Sequence, residues 1–434
     1  MKSVAASSDR SVLPMVETWA LMIPLAFFAS NGVFWFQAAL RNNPLSSGNG
    51  ALVNTHHFQE TLASGAVVFS IVAAVVFTRV KSAVRLLRID RIFMMLGILA
   101  MASAFWSQSP FLSLRFSLFL VFDTLFMFYL SCRFSEDQQI QLVFLLGWLC
   151  VSFSVILSLA FPAFGIDHTG GTNGAWMGMY GQKNMGAMAT LYLLPVVFFL
   201  PSKTLLAKVV RGVYVLLSIV FIVMSQSKSS LVALILLFIF VLAMQMFNKF
   251  TSKSKLVLLF VGAMIVLPLA AVTISYWQQI AYWFGKDPTL TGRTEIWKAV
   301  MVSIMKHPLL GYGYQAFWEG GYTGESANVS FAAQWGVTSA HNGFLEVCLE
   351  LGIIGMGLVL FSIVRAIWHA CICCFSGASP YVKWCCCIIF VTIVFSFDES
   401  ELMIPNNLMW ALFMLACIGL SVNSKSIRLD QSHG

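Results

Sequence analysis

Long, almost uncharged apolar runs recur along this chain, each near the length that crosses a lipid bilayer, and they leave few folds open. Candidate spans lie at 15–36, 61–80, 92–108, 111–131, 140–161, 184–200, 206–225, 229–247, 255–275, 344–368, 381–397 and 407–423. A bilayer core takes roughly 20 apolar residues as a helix, and a helix satisfies its own backbone hydrogen bonds in lipid. The expected fold class is all-α: a polytopic integral membrane helical bundle of about 12 transmembrane helices. Composition agrees, with 59% hydrophobic and 10% charged residues, against about 25% charged in a soluble domain. Soluble enzyme, nucleic-acid binder and disordered scaffold are poor readings. The net charge of +8 fits Lys and Arg in cytoplasmic loops.

Those cations set an expected orientation. With a cytoplasmic N-terminus, 18 Lys and Arg lie inside and 8 outside, which together are the 26 of the chain. The cluster of Arg79, Lys81, Arg85, Arg88 and Arg91 is the strongest anchor. Both termini are then cytoplasmic, in a bacterial inner membrane once the resemblance described below is added, and no cleavable signal peptide is expected. The organisation divides into 1–183 (helices 1 to 5 and an outer loop), 184–275 (helices 6 to 9), 276–342 (one large periplasmic loop) and 343–434 (helices 10 to 12 and a cytoplasmic tail). Cys371, Cys373 and Cys374 with Cys385, Cys386 and Cys387 flank one short connection. They read as small, soft packing residues more than as a thiolate metal site.

The loop at 276–342 is long, polar and rich in Gly, Trp and Tyr, and loops of that length are usually functional. Thr291 is an expected N-cap. Ile296, Trp297, Val300 and Ile304 recur at helical spacing after it, and His307-Pro308 ends the run. This is an amphipathic helix lying on the membrane or on the bundle. Ser339-Ala340-His341-Asn342-Gly343 leads straight into the span near Phe344, so His341 sits at the mouth of a helix. A turn with Asp398, Glu399 and Glu401 has the charge to bind a cation, but reads more readily as a solvated acidic turn.

Four motifs surround this loop: Gly292-Arg293-Thr294-Glu295-Ile296-Trp297, His307-Pro308-Leu309-Leu310-Gly311-Tyr312-Gly313, Ala340-His341-Asn342-Gly343-Phe344-Leu345-Glu346 and Glu350-Leu351-Gly352-Ile353-Ile354-Gly355. With Gly181-Gln182-Lys183-Asn184 and Ser225-Gln226-Ser227-Lys228-Ser229, they resemble the O-antigen ligase and polymerase family of bacterial membrane proteins. The stretch 311–318 is similar to its exopolysaccharide-production branch. The resemblance implies a GT-C-like fold and a metal-independent glycosyltransferase with no cofactor. It implies an undecaprenyl-diphosphate-linked glycan donor used at the periplasmic face, and a second glycan or lipid A core as acceptor. Membrane lipid, and chain-length regulator and flippase proteins, are the expected partners, and no nucleic acid. Family members commonly carry Arg where this chain has Lys228, and Lys keeps the charge but lacks the bidentate fork.

The chemistry sets its own requirements. A diphosphate leaving group gathers negative charge as the glycosidic bond breaks, and without a metal fixed cations must stabilise it. Arg293, Lys228 and Lys183 stand near outer span ends, and Arg115 lies about one turn inside its span. A sugar hydroxyl is a weak nucleophile, and an imidazole suits its activation at neutral pH. His341 and Arg293 are therefore the catalytic candidates. Lys228, Lys183, Arg115, Asn342, Glu346 and Tyr312 are the substrate-binding candidates. Glu346 and Glu350 share a helical face, where they orient His341 or meet a basic group. Tyr312, Tyr314, Trp318, Tyr322 and Trp335 are candidates for stacking on sugars. A polymerase of lipid-linked repeat units, a ligase to lipid A core, and a transporter or flippase of lipid-linked sugars remain open. The gathering of cations at outer span ends favours chemistry over passage.

Overall fold

A computed structural model describes residues 15–29, 90–168, 174–201, 204–247, 292–320 and 324–432, with short pieces at 70, 249–251 and 253–255. Among the described residues the regular structure is helical, apart from one isolated bridge between Ile166 and Trp176. The helices are α1 (Met15–Ala29), α2 (Ile92–Ala102), α3 (Pro110–Arg133), α4 (Glu136–Ala160), the short α5 (Pro162–Gly165), α6 (Lys183–Leu193), α7 (Leu205–Met224), α8 (Lys228–Phe247), α9 (Arg293–Lys306), α10 (Glu325–Ala333), α11 (Gly343–Phe375), α12 (Pro380–Ser396) and α13 (Leu408–Ser432).

The chain is an integral membrane protein. Six described helices, α3, α4, α7, α8, α11 and α13, are long and apolar enough to span a membrane. Helices stand at ten of the twelve expected spans, while 61–80 and 255–275, apart from their residues 70 and 255, lie outside the described residues. The expected run 184–200 is not one helix. It changes at Leu194 into a 3-10 segment, Leu194–Phe198, because Pro195 lacks the amide an α-helix needs and crowds the preceding turn.

Local chemistry starts these helices. Ser135 and Gln138 form a reciprocal capping box at α4, with Glu136 and Asp137 in the first turn facing the helix dipole. Ser379 caps α12 ahead of Pro380. Asn342 caps α11, its side-chain oxygen accepting from Phe344 and Leu345 at 3.0 and 3.1 Å.

At the centre stands α13. From Leu408 to Leu420 its apolar side chains are buried on every face, as expected of a helix that is hydrophobic all round. It packs against α3, α11 and α12. Lipid removes the hydrophobic drive between helices, so close packing and buried polar ties specify the arrangement. Trp410 stacks on Phe413 at 5.2 Å, and Arg365 pairs with buried Asp90 at 2.7 Å. Ser421 of α13 joins that pair at 3.0 Å.

Within α11 the helix is broken. Gly352 adopts φ 62 and ψ −165, so the carbonyls before it have no helical partner. The segment 308–313 supplies partners in kind. Tyr312 and Gly313 donate amides to Leu349 and Glu350 at 2.8 and 3.0 Å, and Ile353 donates to Pro308 at 2.9 Å. Non-helical backbone is tolerated at membrane depth only when protein satisfies it in this way. The α2–α3 turn and the first turn of α3 hold the residues that follow this segment. Ser113 donates to the carbonyl of Tyr314 at 2.8 Å, and Gln108 to that of Ala316 at 2.7 Å.

The loop has its own small core. Ile296, Val300 and Ile304 of α9 pack with Tyr312, Phe317, Val329, Val337, Ala340 and Leu349. The expected amphipathic helix therefore lies on the bundle, against α10 and α11. Lys306 clamps Glu325 at 2.8 Å to each carboxylate oxygen, and that hydrogen bond holds the Glu325 carboxyl below the usual carboxylate range.

Candidate active site

Two chain segments converge on the start of α11. The first is the N-terminus of α9. Thr291, the expected N-cap, lies outside the described residues, and Gly292 occupies the N-cap position with φ 85. A left-handed backbone there suits glycine, and it turns Arg293 out of the loop at the first helical position. The second is the connection between α12 and α13, residues 397–407, which carries Asp398, Glu399 and Glu401.

Glu399 joins the two catalytic candidates. Its Oε1 accepts from Arg293 Nη2 at 3.3 Å and from Asn184 Nδ2 at 3.4 Å. Its Oε2 faces His341 Nδ1 at 3.3 Å. Arg293 also donates Nη1 to a carboxylate oxygen of Asp398 and, at 2.5 Å, to that residue's carbonyl. The expectation of a solvated acidic turn is thus overturned. Glu399 is buried between two basic groups, because the α12–α13 connection closes over the loop. The sequence reading left Glu399 out of the site residues, since Asp-Glu-Ser-Glu carries no local sign of burial.

His341 is held from behind. It has φ 48, a left-handed conformation uncommon for a side chain of this size. Its neighbours hold the turn. Ala340 donates its amide to Glu346 Oε2 at 2.7 Å, and Asn342 donates its amide to Ser400 at 3.2 Å. Trp297 donates its indole N–H to the carbonyl of Ala340 at 3.0 Å. The other Glu346 oxygen accepts from the Trp318 indole, and Glu350 accepts from Gln315 at 3.0 Å. The inward acids of α11 therefore bind loop backbone and loop side chains, and Glu346 acts behind the imidazole.

The remaining candidates divide. Lys183 begins α6, one residue before the Asn184 that reaches Glu399. Lys228 begins α8 and is exposed. Trp176 donates its amide to Met224 at 2.9 Å, which draws the segment leading into α6 towards the α7–α8 turn before Lys228. Arg115, in the second turn of α3, lies over the rings of Phe116 and Phe119 at 5.3 and 5.7 Å. Tyr312 belongs to the loop core. Its hydroxyl donates to Ser303 at 2.9 Å and its ring packs between His307 and Phe317. Burial pushes its phenol up to about 12. Tyr312 offers no open face to a sugar, and Tyr314 is fully buried. Trp335 is exposed, with its ring 6.3 Å from that of His341. Tyr322 lies outside the described residues.

All ten cysteines are free thiols, and among the described residues no group of three or more His, Cys, Asp or Glu is arranged to hold a metal.

The O-antigen ligase family model matches residues 213–360, a segment that contains Lys228, Arg293, His341 and Glu346 and stops short of Glu399. The chain is also 29% identical over 289 residues to the exopolysaccharide production protein ExoQ of Rhizobium meliloti (strain 1021). That match covers 62% of this chain and 62% of the relative, so it spans a little under two thirds of the relative's length. Both comparisons point to the family that the motifs around the loop resemble.

Proposed function

We propose that this protein is a periplasmic-face glycosyltransferase that takes a glycan from an undecaprenyl-diphosphate-linked donor and passes it to a second glycan, as a polymerase of exopolysaccharide or O-antigen type. The observation that carries the reading is the chain Arg293–Glu399–His341. A carboxylate on Nδ1 fixes the imidazole tautomer and leaves Nε2 as a base. In the reaction an acceptor hydroxyl oxygen attacks the anomeric carbon. The bond from that carbon to the phosphate oxygen breaks, and the hydroxyl proton passes to His341 Nε2. Polyprenyl diphosphate leaves with the bonding electron pair.

Negative charge on the leaving diphosphate falls to Arg293, Lys183 and Lys228, with Arg115 a further cation at the start of α3. At the edge of lipid such preorganised cations count for more than in water. Asn342 and Glu346 hold the base in place, and Trp335 offers the open aromatic face for a sugar ring. Tyr312 keeps the loop core behind them. No step calls for a metal or cofactor.

The name of the relative, an exopolysaccharide production protein, favours polymerisation, while that of the family model, an O-antigen ligase, keeps transfer to lipid A core as the second reading. The deciding experiment supplies purified protein in lipid with a lipid-linked repeat unit alone. Long chains made without lipid A identify a polymerase. Chains that appear only as conjugates with added lipid A core identify a ligase. Movement of intact donor across the bilayer without new glycosidic bonds would return the transporter reading.

A further inference from the structure

Arg293 is already occupied. One guanidinium nitrogen meets Asp398 and the other meets Glu399, which is the fork-like recognition that a phosphate would otherwise receive. For a diphosphate to reach this guanidinium, a carboxylate must give way, and the two are not held alike. The Glu399 side chain is 11% exposed and has three partners, Arg293, Asn184 and His341. The Asp398 side chain is 32% exposed, and its Oδ2, itself buried, has no hydrogen-bond donor among the described residues. Loss of Asp398 from the pair leaves Arg293 still tied to the same loop through the Asp398 carbonyl.

We propose that Asp398 is an internal stand-in for the donor diphosphate: it neutralises and aims Arg293 in the empty site and is displaced when a diphosphate binds, while Glu399 stays on His341. This rests on the diphosphate-donor reading above. It gives the two carboxylates opposite parts. Asp398 competes with substrate for Arg293 and sets donor affinity. Glu399 positions the base and governs turnover. The displaced Asp398 turns towards solvent, so no buried charge is stranded, and a like-charge contact with phosphate is avoided.

The test is equilibrium binding of farnesyl diphosphate to the full chain in lipid nanodiscs, with inorganic pyrophosphate as a second titrant that separates the diphosphate from the lipid tail. Asp398→Asn and Asp398→Ser should each bind farnesyl diphosphate roughly fivefold tighter than the unmodified chain, about what one partly exposed ion pair supplies. In an Arg293→Gln background the same substitutions should change nothing. Glu399→Gln should lower turnover and leave diphosphate affinity within about twofold. Unchanged or weaker binding in both Asp398 variants, with unfolding midpoints like that of the parent, would overturn the competition. Absence of diphosphate binding by parent and variants alike would remove the donor reading and this proposal with it. Tightening for farnesyl diphosphate but not for pyrophosphate would show that the tail, not Arg293, is the source, and would also overturn it.

Discussion

The amide of Tyr312 donates to the carbonyl of Leu349 across 2.8 Å, joining a loop to the inside of a broken membrane helix. Through this bond the Gly-Tyr-Gly-Tyr motif and the Leu-Gly-Ile-Ile-Gly motif form one structural unit. The loop segment replaces the helical partners that Gly352 removes, and two acids of the same helix hold other parts of the loop, Glu346 at the turn before His341 and Glu350 at Gln315.

Gly352→Ala should be severely destabilising. Its φ of 62 with ψ −165 is a glycine conformation, and an added Cβ would stand 2.3 Å from the carbonyl carbon and oxygen of Leu309. Strain and displacement together should cost about 2–4 kcal/mol. The measurement is the thermal unfolding midpoint in detergent with the amount of inserted protein. A midpoint and yield equal to those of the parent would refute the account of the helix break.

Glu399→Gln should accumulate and insert normally and lose about 10²-fold or more in kcat, with a smaller change in the KM for donor. His341→Ala and Arg293→Ala should each abolish glycan product under the same conditions. Combining Glu399→Gln with His341→Ala should add little to the loss from His341→Ala alone, because the two residues act as one unit. Multiplying losses in the double variant would separate Glu399 from the base.

These residues differ in how visible they are from sequence, and the reason is physical. Apolar runs declare α3, α4, α7 and α8 directly, since length and hydropathy are local properties. The start of α4 lies ahead of the expected 140, because the Ser135–Gln138 capping box stands outside the apolar run. His341 and Arg293 stand inside motifs that surround one loop, so their meeting was expected. Glu399 was not, because its burial depends on how the α12–α13 connection closes on α9, a contact 106 residues apart in sequence. The break at Gly352 was hidden too. Leu351-Gly352-Ile353 continues an apolar run, and the segment that fills the break lies elsewhere in the chain. The place of Tyr312 in the loop core was hidden for a related reason. An aromatic beside glycines suits a binding surface and a loop core equally well until its neighbours are known.

Glu401 gives a pH signature. Burial, with the nearby Glu399 carboxylate adding to it, pushes its carboxyl up to about 8 from the ordinary 4.5, and Asn407 donates to it at 2.7 Å. Between those two values the folded chain keeps a proton that the unfolded chain has released, so stability falls as pH rises from about 4.5 to about 8. The slope should reach at most about 1.4 kcal/mol per pH unit. Glu401→Gln should flatten the pH dependence of the unfolding midpoint over this range while preserving a partner for Asn407. A variant whose stability still declines along the parent's curve would assign the effect to another group.

Lys228 tests whether charge alone serves at the start of α8. An ammonium binds phosphate as a point charge where guanidinium binds it with two parallel hydrogen bonds. Lys228 is exposed at the first turn of its helix, so Arg fits without repacking. Lys228→Arg should retain or raise donor affinity, and Lys228→Ala should weaken it by roughly tenfold, chiefly through KM. Raising ionic strength should weaken donor binding less in Lys228→Ala than in the parent, because one screened attraction is already gone. Equal losses in Lys228→Arg and Lys228→Ala would mean that the position needs the shape of lysine, not its charge, and would remove it from the set of cations facing the diphosphate.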